Sequence, residues 1–240
     1  ILEDGFETYA DFSLTFDPWV LVDVDMSGTY GFTGITWPGA YDPQAYIVFN
    51  PSATTPAVED AAAHTGDKYA ACFAATTPPN NDWMMTPEIP GGGELRFWAK
   101  SYTADYGLER FKVGVSTGST NPADSTFISG ATHVEAPTEW TEFVYSLSAY
   151  EGQQIRVGIQ CISNDAFIFM VDDVKITGSG AGEDPVTPVL ATTLKGNYPN
   201  PFNPTTTISY SVRENTPVSI DIYNVKGQKV RNLVKNVKEA

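Results

Sequence analysis

The 240-residue sequence predicts an all-β protein, a jelly-roll β-sandwich followed by a smaller β-segment. Three observations carry this. Runs of β-branched and aromatic residues recur along the chain, bounded by Gly, Pro, Asn and Asp. Helical periodicity is nearly absent: Val58–Ala63 is short, and the valines of Asn224–Ala240 suit a strand as well as a helix. The composition, with 20 Gly, 17 Pro and only 18% charged residues, is that of a turn-rich β-chain.

The strand candidates, in order, are Trp19–Val24, Tyr46–Phe49, Lys68–Phe73, Leu95–Lys100, Phe111–Ser116, Thr141–Leu147, Gln154–Cys161 and Phe167–Ile176. In Phe111-Lys112-Val113-Gly114-Val115 the apolar residues take alternate positions, as on a strand with one face in a core. Eight such strands joined by long acidic loops make a jelly roll over residues 1–177. Residues 178–193, rich in Gly, Pro and Thr, read as a linker. Beyond it lie Ile208–Val212, Val218–Tyr223 and the weaker Gln228–Val234, too few strands for an independent sandwich.

Composition excludes several classes. The 30 aromatic residues rule out a disordered polyanion and a coiled coil. No apolar run approaches the roughly 18–20 residues of a membrane helix, so no membrane insertion is expected. A net charge of −15 argues against nucleic acid and against anionic membrane surfaces. The charge is uneven: residues 1–193 carry 26 Asp and Glu against 7 Lys and Arg, net −19, whereas residues 194–240 carry 3 against 7, net +4. The acidic excess makes divalent cations plausible partners, because carboxylate oxygens are the hard ligands Ca²⁺ prefers. The start at Ile1, among acidic residues, reads as a matured or trimmed product.

Few residues suggest chemistry. Cys72 and Cys161 are 89 positions apart with no C-x-x-C; in an oxidising compartment they can form a disulfide, and they serve equally as two buried thiols. Gly114-Val115-Ser116-Thr117-Gly118 has the G-x-S-x-G spacing but ends a strand with no helix after it, so it is a chance match. His64 and His133, the two histidines, lack metalloenzyme spacing. Asp23-Val24-Asp25-Met26-Ser27-Gly28 has the spacing that opens a calcium loop, although Gly34 stands where an EF-hand needs its bidentate Glu. Loop aromatics Tyr30, Phe32, Trp37, Tyr41, Tyr102 and Tyr106 are candidates for stacking on a ligand or for packing beneath the loops; Trp83 and Trp98 are assigned to the core.

Two resemblances extend this reading. Phe6-Glu7, Trp19 leading into Val22-Asp23-Val24-Asp25, His64-Thr65-Gly66-Asp67, Asn81-Asp82-Trp83-Met84-Met85-Thr86-Pro87-Glu88-Ile89, Leu147–Gln153 and Met170–Ile176 together resemble the cleaved-adhesin or choice-of-anchor J jelly roll, a relative of the MAM domain. That resemblance implies structural Ca²⁺ held by Glu7, Asp23, Asp25, Ser27, Asp172 and Asp173, and recognition of a glycan or an extracellular protein through loops, without catalysis. Asn197-Tyr198-Pro199-Asn200-Pro201-Phe202-Asn203-Pro204-Thr205-Thr206-Thr207-Ile208, with Ile222–Val230, resembles the Ig-like C-terminal sorting domain of type IX secretion cargo. It implies handling by the secretion machinery through residues 194–240, export across an outer membrane, and an extracellular or cell-surface destination. Two other functions fit the same residues. One is a filament subunit that self-associates by donating strands from 194–240; the other is an accessory module of a larger secreted hydrolase.

Overall fold

The computed structural model describes residues 2–178, 193–198, 205–211, 217–224 and 226–238. The chain divides into two compact units, Ile1–Ser179 and Gly180–Ala240. Almost all of the predicted linker, and Pro199–Pro204 of the sorting signature, lie outside the described residues.

The first unit has thirteen strands: β1 (Leu2–Asp4), β2 (Val20–Asp23), β3 (Ile47–Phe49), β4 (Tyr69–Phe73), β5 (Asp82–Met85), β6 (Ile89–Pro90), β7 (Glu94–Ser101), β8 (Arg110–Ser116), β9 (Thr126–Phe127), β10 (Val134–Glu135), β11 (Thr141–Ser146), β12 (Gln154–Cys161) and β13 (Ile168–Ile176). One sheet runs β11-β7-β13-β4-β3, with β1 paired to β13; the other runs β10-β8-β12-β5-β2, with β6 on β12 and β9 on β8. Every named pair is antiparallel. This is a jelly-roll β-sandwich. The helical segments among the described residues are three-residue 3₁₀ turns.

The core between the sheets follows from alternation. Phe111, Val113 and Val115 of β8 meet Phe97 and Ala99 of β7 and Phe169 and Val171 of β13. Strands β3 and β4 break the alternation, because both of their faces are buried. Their outward residues Ile47, Phe49, Tyr69 and Phe73, with Ile168 and Met170 of β13, form a second apolar cluster. The 32–40 loop folds onto it as a third layer, led by Trp37, Phe32 and Ile35. A strand covered on both sides must be apolar on both sides, which explains why Tyr-Ala-Ala-Cys-Phe carries no polar alternation.

On the outer face of the other sheet, Trp83 lies over Gly114 and Gly158. A Cβ at Gly158 would sit 2.7 Å from Trp83 Cε3, and one at Gly114 would sit 3.2 Å from Cη2. Phe127 of β9 stacks on the same indole, with centroids 5.9 Å apart. Trp83 is therefore buried, but outside the inter-sheet core. Trp98 corrects its assignment more fully: it faces outward from β7, half-buried, with the His64 ring stacked on it at 3.9 Å. The second unit contains two described hairpins, β14 (Thr193–Tyr198) with β15 (Thr207–Ser211), and β16 (Pro217–Tyr223) with β17 (Lys229–Lys238).

Candidate binding cleft and acidic cluster

Three loops of the jelly roll meet beside the second apolar cluster and leave an aromatic cleft. Phe32 is its floor, with its ring centroid 5.2 Å from Tyr102 and 5.1 Å from Phe167. Tyr106 stands over Phe167 at 6.4 Å and is 67% exposed. The cleft has two lobes that share Phe32, Tyr106 and Phe167. One, about 440 Å³, reaches Tyr30 and Asp165; the other, about 340 Å³, reaches Tyr102, Asp60 and Asp105.

The walls are anchored by backbone pairing and a buried acid. Tyr30 N–H donates to Ala74 C=O at 2.8 Å, and Tyr102 N–H donates to Ile168 C=O at 3.1 Å. Glu109, 1% exposed, accepts from Phe167 N–H at 2.6 Å and from the Ser163 hydroxyl. Ser163 Oγ in turn accepts from Arg110 N–H at 2.9 Å. Burial raises the Glu109 carboxyl to about 7, and its two hydrogen bonds offset part of that rise. Burial and the Asp60 carboxylate push the Tyr102 phenol up to about 12.

Of the six loop aromatics named from the sequence, the structure gathers Tyr30, Phe32, Tyr102 and Tyr106 at this cleft and adds Phe167. Trp37 is not among them. It is 7% exposed, packed between Phe49 and Phe73 at 5.4 and 5.3 Å. Tyr41, half exposed, stacks on Trp37 as a cover and donates from its hydroxyl to Phe32 C=O at 3.1 Å. Phe167 escaped sequence reading because it opens a strand run; its neighbours Asn164-Asp165-Ala166 were the turn signal that places it at a rim.

The six predicted metal ligands separate. Asp23 on β2 pairs with Asp82 on β5, and the loop after β2 brings Asp25 back, so ligand atoms of Asp23, Asp25 and Asp82 all lie within 4.8 Å of one another. Asp82 is 2% exposed: Oδ2 accepts from Asn80 Nδ2 at 2.8 Å, while Oδ1 has no hydrogen-bond partner. Burial, then the charges of Asp25 and Asp23, push its carboxyl up to about 8; Asp23 is also raised, by burial first and then by Asp25. Ser27 uses its hydroxyl within the loop, donating to Gly28 C=O at 3.0 Å and accepting from Thr77 N–H. Sequence reading passed over Asp82, although an acid inside the buried run Asp-Trp-Met-Met was the available sign.

Glu7, Asp172 and Asp173 are engaged elsewhere. Glu7 Oε1 accepts from Asp67 and Lys68 N–H at 2.9 and 2.8 Å. Asp172 Oδ2 accepts from His64 and Thr65 N–H at 2.9 and 3.1 Å. Asp173 Oδ2 lies 2.6 Å from His64 Nδ1, and Oδ1 accepts from Thr65 Oγ1 at 2.8 Å. Burial raises Asp172 to about 7, against the pull of three backbone N–H donors. These acids pin the 64–68 loop with protein donors.

Cys72 and Cys161 are free, buried thiols. Cys72 Sγ is 3.4 Å from Asp82 Oδ2, and its thiol is pushed well up by burial and by neighbouring Cys161. Ser116 of the G-x-S-x-G match is buried in β8 and donates to Ser119 C=O, which is no nucleophile elbow.

Residues 197–240 match the secretion system C-terminal sorting domain. The chain is thus an exported protein of the cell surface or the extracellular space. Hemagglutinin A of Porphyromonas gingivalis is 27% identical over 155 residues, an alignment that takes in 53% of this chain and 7% of that protein. The chain therefore spans a small fraction of this curated relative. Among solved structures, the K2 cleaved adhesin domain of Lys-gingipain aligns with TM-score 0.54 at 14% identity, covering 73% of this chain and 98% of that domain. The K1 domain, from P. gingivalis W83, aligns with TM-score 0.54 at 17%, covering 75% and 98%. At these identities the likeness is one of fold: the first unit shares the cleaved-adhesin jelly roll.

Proposed function

We propose that the protein is a non-catalytic extracellular adhesion module whose ligand, a glycan or another extracellular protein, docks in the aromatic cleft. The observation that carries the reading is Tyr106. A large aromatic side chain 67% exposed beside half-buried Phe167 and Phe32 contributes nothing to the core and gives a ligand a flat apolar surface. The hemagglutinin relative and the cleaved-adhesin fold agree with this reading, and the sorting tail puts the module where such ligands are. The test is retention of the full chain on immobilised oligosaccharides and matrix proteins, beside Tyr106→Ala. Retention lost in the variant, with an unchanged melting temperature, supports the cleft. Equal retention sinks it.

A structural calcium ion is the second part of the proposal. Asp23, Asp25 and Asp82 would hold it, and Asp82 Oδ1 is a buried acceptor without a donor. Three hard oxygen ligands in one place suit Ca²⁺, whose charge relieves their mutual repulsion. The ion would tie the loop after β2 to β5. Calcium should raise the melting temperature and EDTA lower it, and Asp82→Asn should abolish that response. A melt indifferent to both reagents removes the ion.

A further inference from the structure

We infer that the aromatic cleft is built to seat a cationic side chain, an arginine carried on a protein partner. This rests on the cleft being the binding surface and goes further by choosing between ligand classes. The two lobes are rimmed by Asp60, Asp105 and Asp165, all exposed, while Tyr30, Phe32, Tyr102, Tyr106 and Phe167 supply the walls. Among the described residues, no Lys or Arg lines either lobe, and none of the three carboxylates takes part in an ion pair. Some acids elsewhere on the jelly roll do have a cation: Asp11 has Lys68, Glu94 and Glu142 have Arg96, and Glu135 has Arg110.

The three rim carboxylates only accept, while the hydroxyls of Tyr30, Thr33, Thr103 and Tyr106 can donate or accept. The Tyr102 phenol interacts with Asp60, and among the described residues no Lys or Arg pairs with Asp105. A neutral sugar can donate its hydroxyls to these carboxylates but brings them no opposite charge, and an anionic sugar would be repelled. A guanidinium carries five donors and no acceptor, sheds water more readily than an ammonium, and stacks flat on an aromatic ring while its edge forks to a carboxylate. The rings present the corner this needs, with Tyr106 and Phe167 inclined at 65° and Tyr102 and Phe167 at 69°. The net −19 of residues 1–193 would steer a basic partner towards the domain.

The test is NMR titration of the full chain with acetyl-Gly-Arg-Gly-amide and its citrulline counterpart, which keeps the shape and loses the charge. The arginine peptide should bind roughly tenfold more tightly or better, and should weaken as salt rises. Tyr106→Ala and Asp105→Asn should each cut its affinity several-fold at unchanged melting temperature. Equal binding of the two peptides, or no binding of either, overturns the cationic assignment. If Tyr106→Ala still abolishes surface retention in that event, the cleft stands and the ligand is neutral. If retention survives the substitution, the cleft reading falls with it.

Discussion

Replacing Glu109 with glutamine should make the protein more stable in alkaline solution and leave it unchanged in acid. Glu109 is buried, 1% exposed, and its carboxyl is raised from 4.5 to about 7. A rise of about 2.5 units at 1.36 kcal/mol each corresponds to about 3 kcal/mol. The sign follows from linkage. A folded-state pKa above the unfolded one favours folding fully below about pH 4.5, and that contribution is lost as the pH climbs through about 7. Above that, the native state holds a carboxylate that burial disfavours. Glutamine keeps an oxygen for Phe167 N–H, and the Ser163 hydroxyl can rotate to accept from the new amide, so both contacts survive without titration. Melts of wild type and Glu109→Gln should coincide near pH 4.5. By about pH 8 they should separate by roughly 6–12 °C in favour of the variant, at about 2–4 °C per kcal/mol for a domain of this size. Asp172 and Asp82 are raised in the same direction, so the difference between the two proteins, measured in EDTA, isolates Glu109. A separation that stays constant from pH 5 to pH 8.5 would refute the reasoning.

Other substitutions probe the packing. Gly158→Ala drives a methyl to 2.7 Å from the Trp83 ring and should cost about 1–3 kcal/mol in a denaturant melt, with quenching or shifting of the indole fluorescence. Trp37→Ala empties the third layer and should cost about 3–5 kcal/mol, whereas Tyr41→Ala, which strips an exposed cover, should cost far less; equal losses would mean the loop is not packed as described. Calcium added to the chelated protein should raise the melt by a concentration-dependent amount of about 2.7 kcal/mol at a hundredfold excess over its dissociation constant, a gain Asp82→Asn should forfeit.

Much of the architecture was legible in the residues. Gln154–Cys161 matches its predicted bounds, because four inward apolar residues alternate with Gln154, Arg156, Gly158 and Gln160 and nothing long-range is needed to see it. β1, at three residues, is too short to show a period; it exists because the edge of β13 offers it partners. β5 does not announce itself as a strand, since Asp-Trp-Met-Met has neither alternation nor β-branching, and it is the pairing with β2 and β12 that makes it one. The site was harder. Tyr30, Tyr102 and Tyr106 could be named as loop aromatics, but which of them meet is decided by three loops converging from distant positions. For Trp37 the sequence leaves stacking on a ligand and packing beneath a loop open, and the structure takes the second, because the apolar outer faces of β3 and β4 require a cover. Asp23 and Asp25 were visible by spacing, and Asp82 needed strand register to join them.

The third layer divides the domain into faces that would respond differently to engineering. Around the 32–40 loop, a graft or an inserted tag would pry an aromatic panel from Ile47, Phe49, Tyr69 and Phe73, and would be rejected as though it had been placed in a core. In the turn around Gly118, between β8 and β9, and in the exposed segment around Gly130, between β9 and β10, an added Cβ meets nothing within 4 Å and the backbone borders open solvent. Those two exposed segments are where the scaffold should accept foreign peptide, making this jelly roll a display frame with one permissive side and one sealed side.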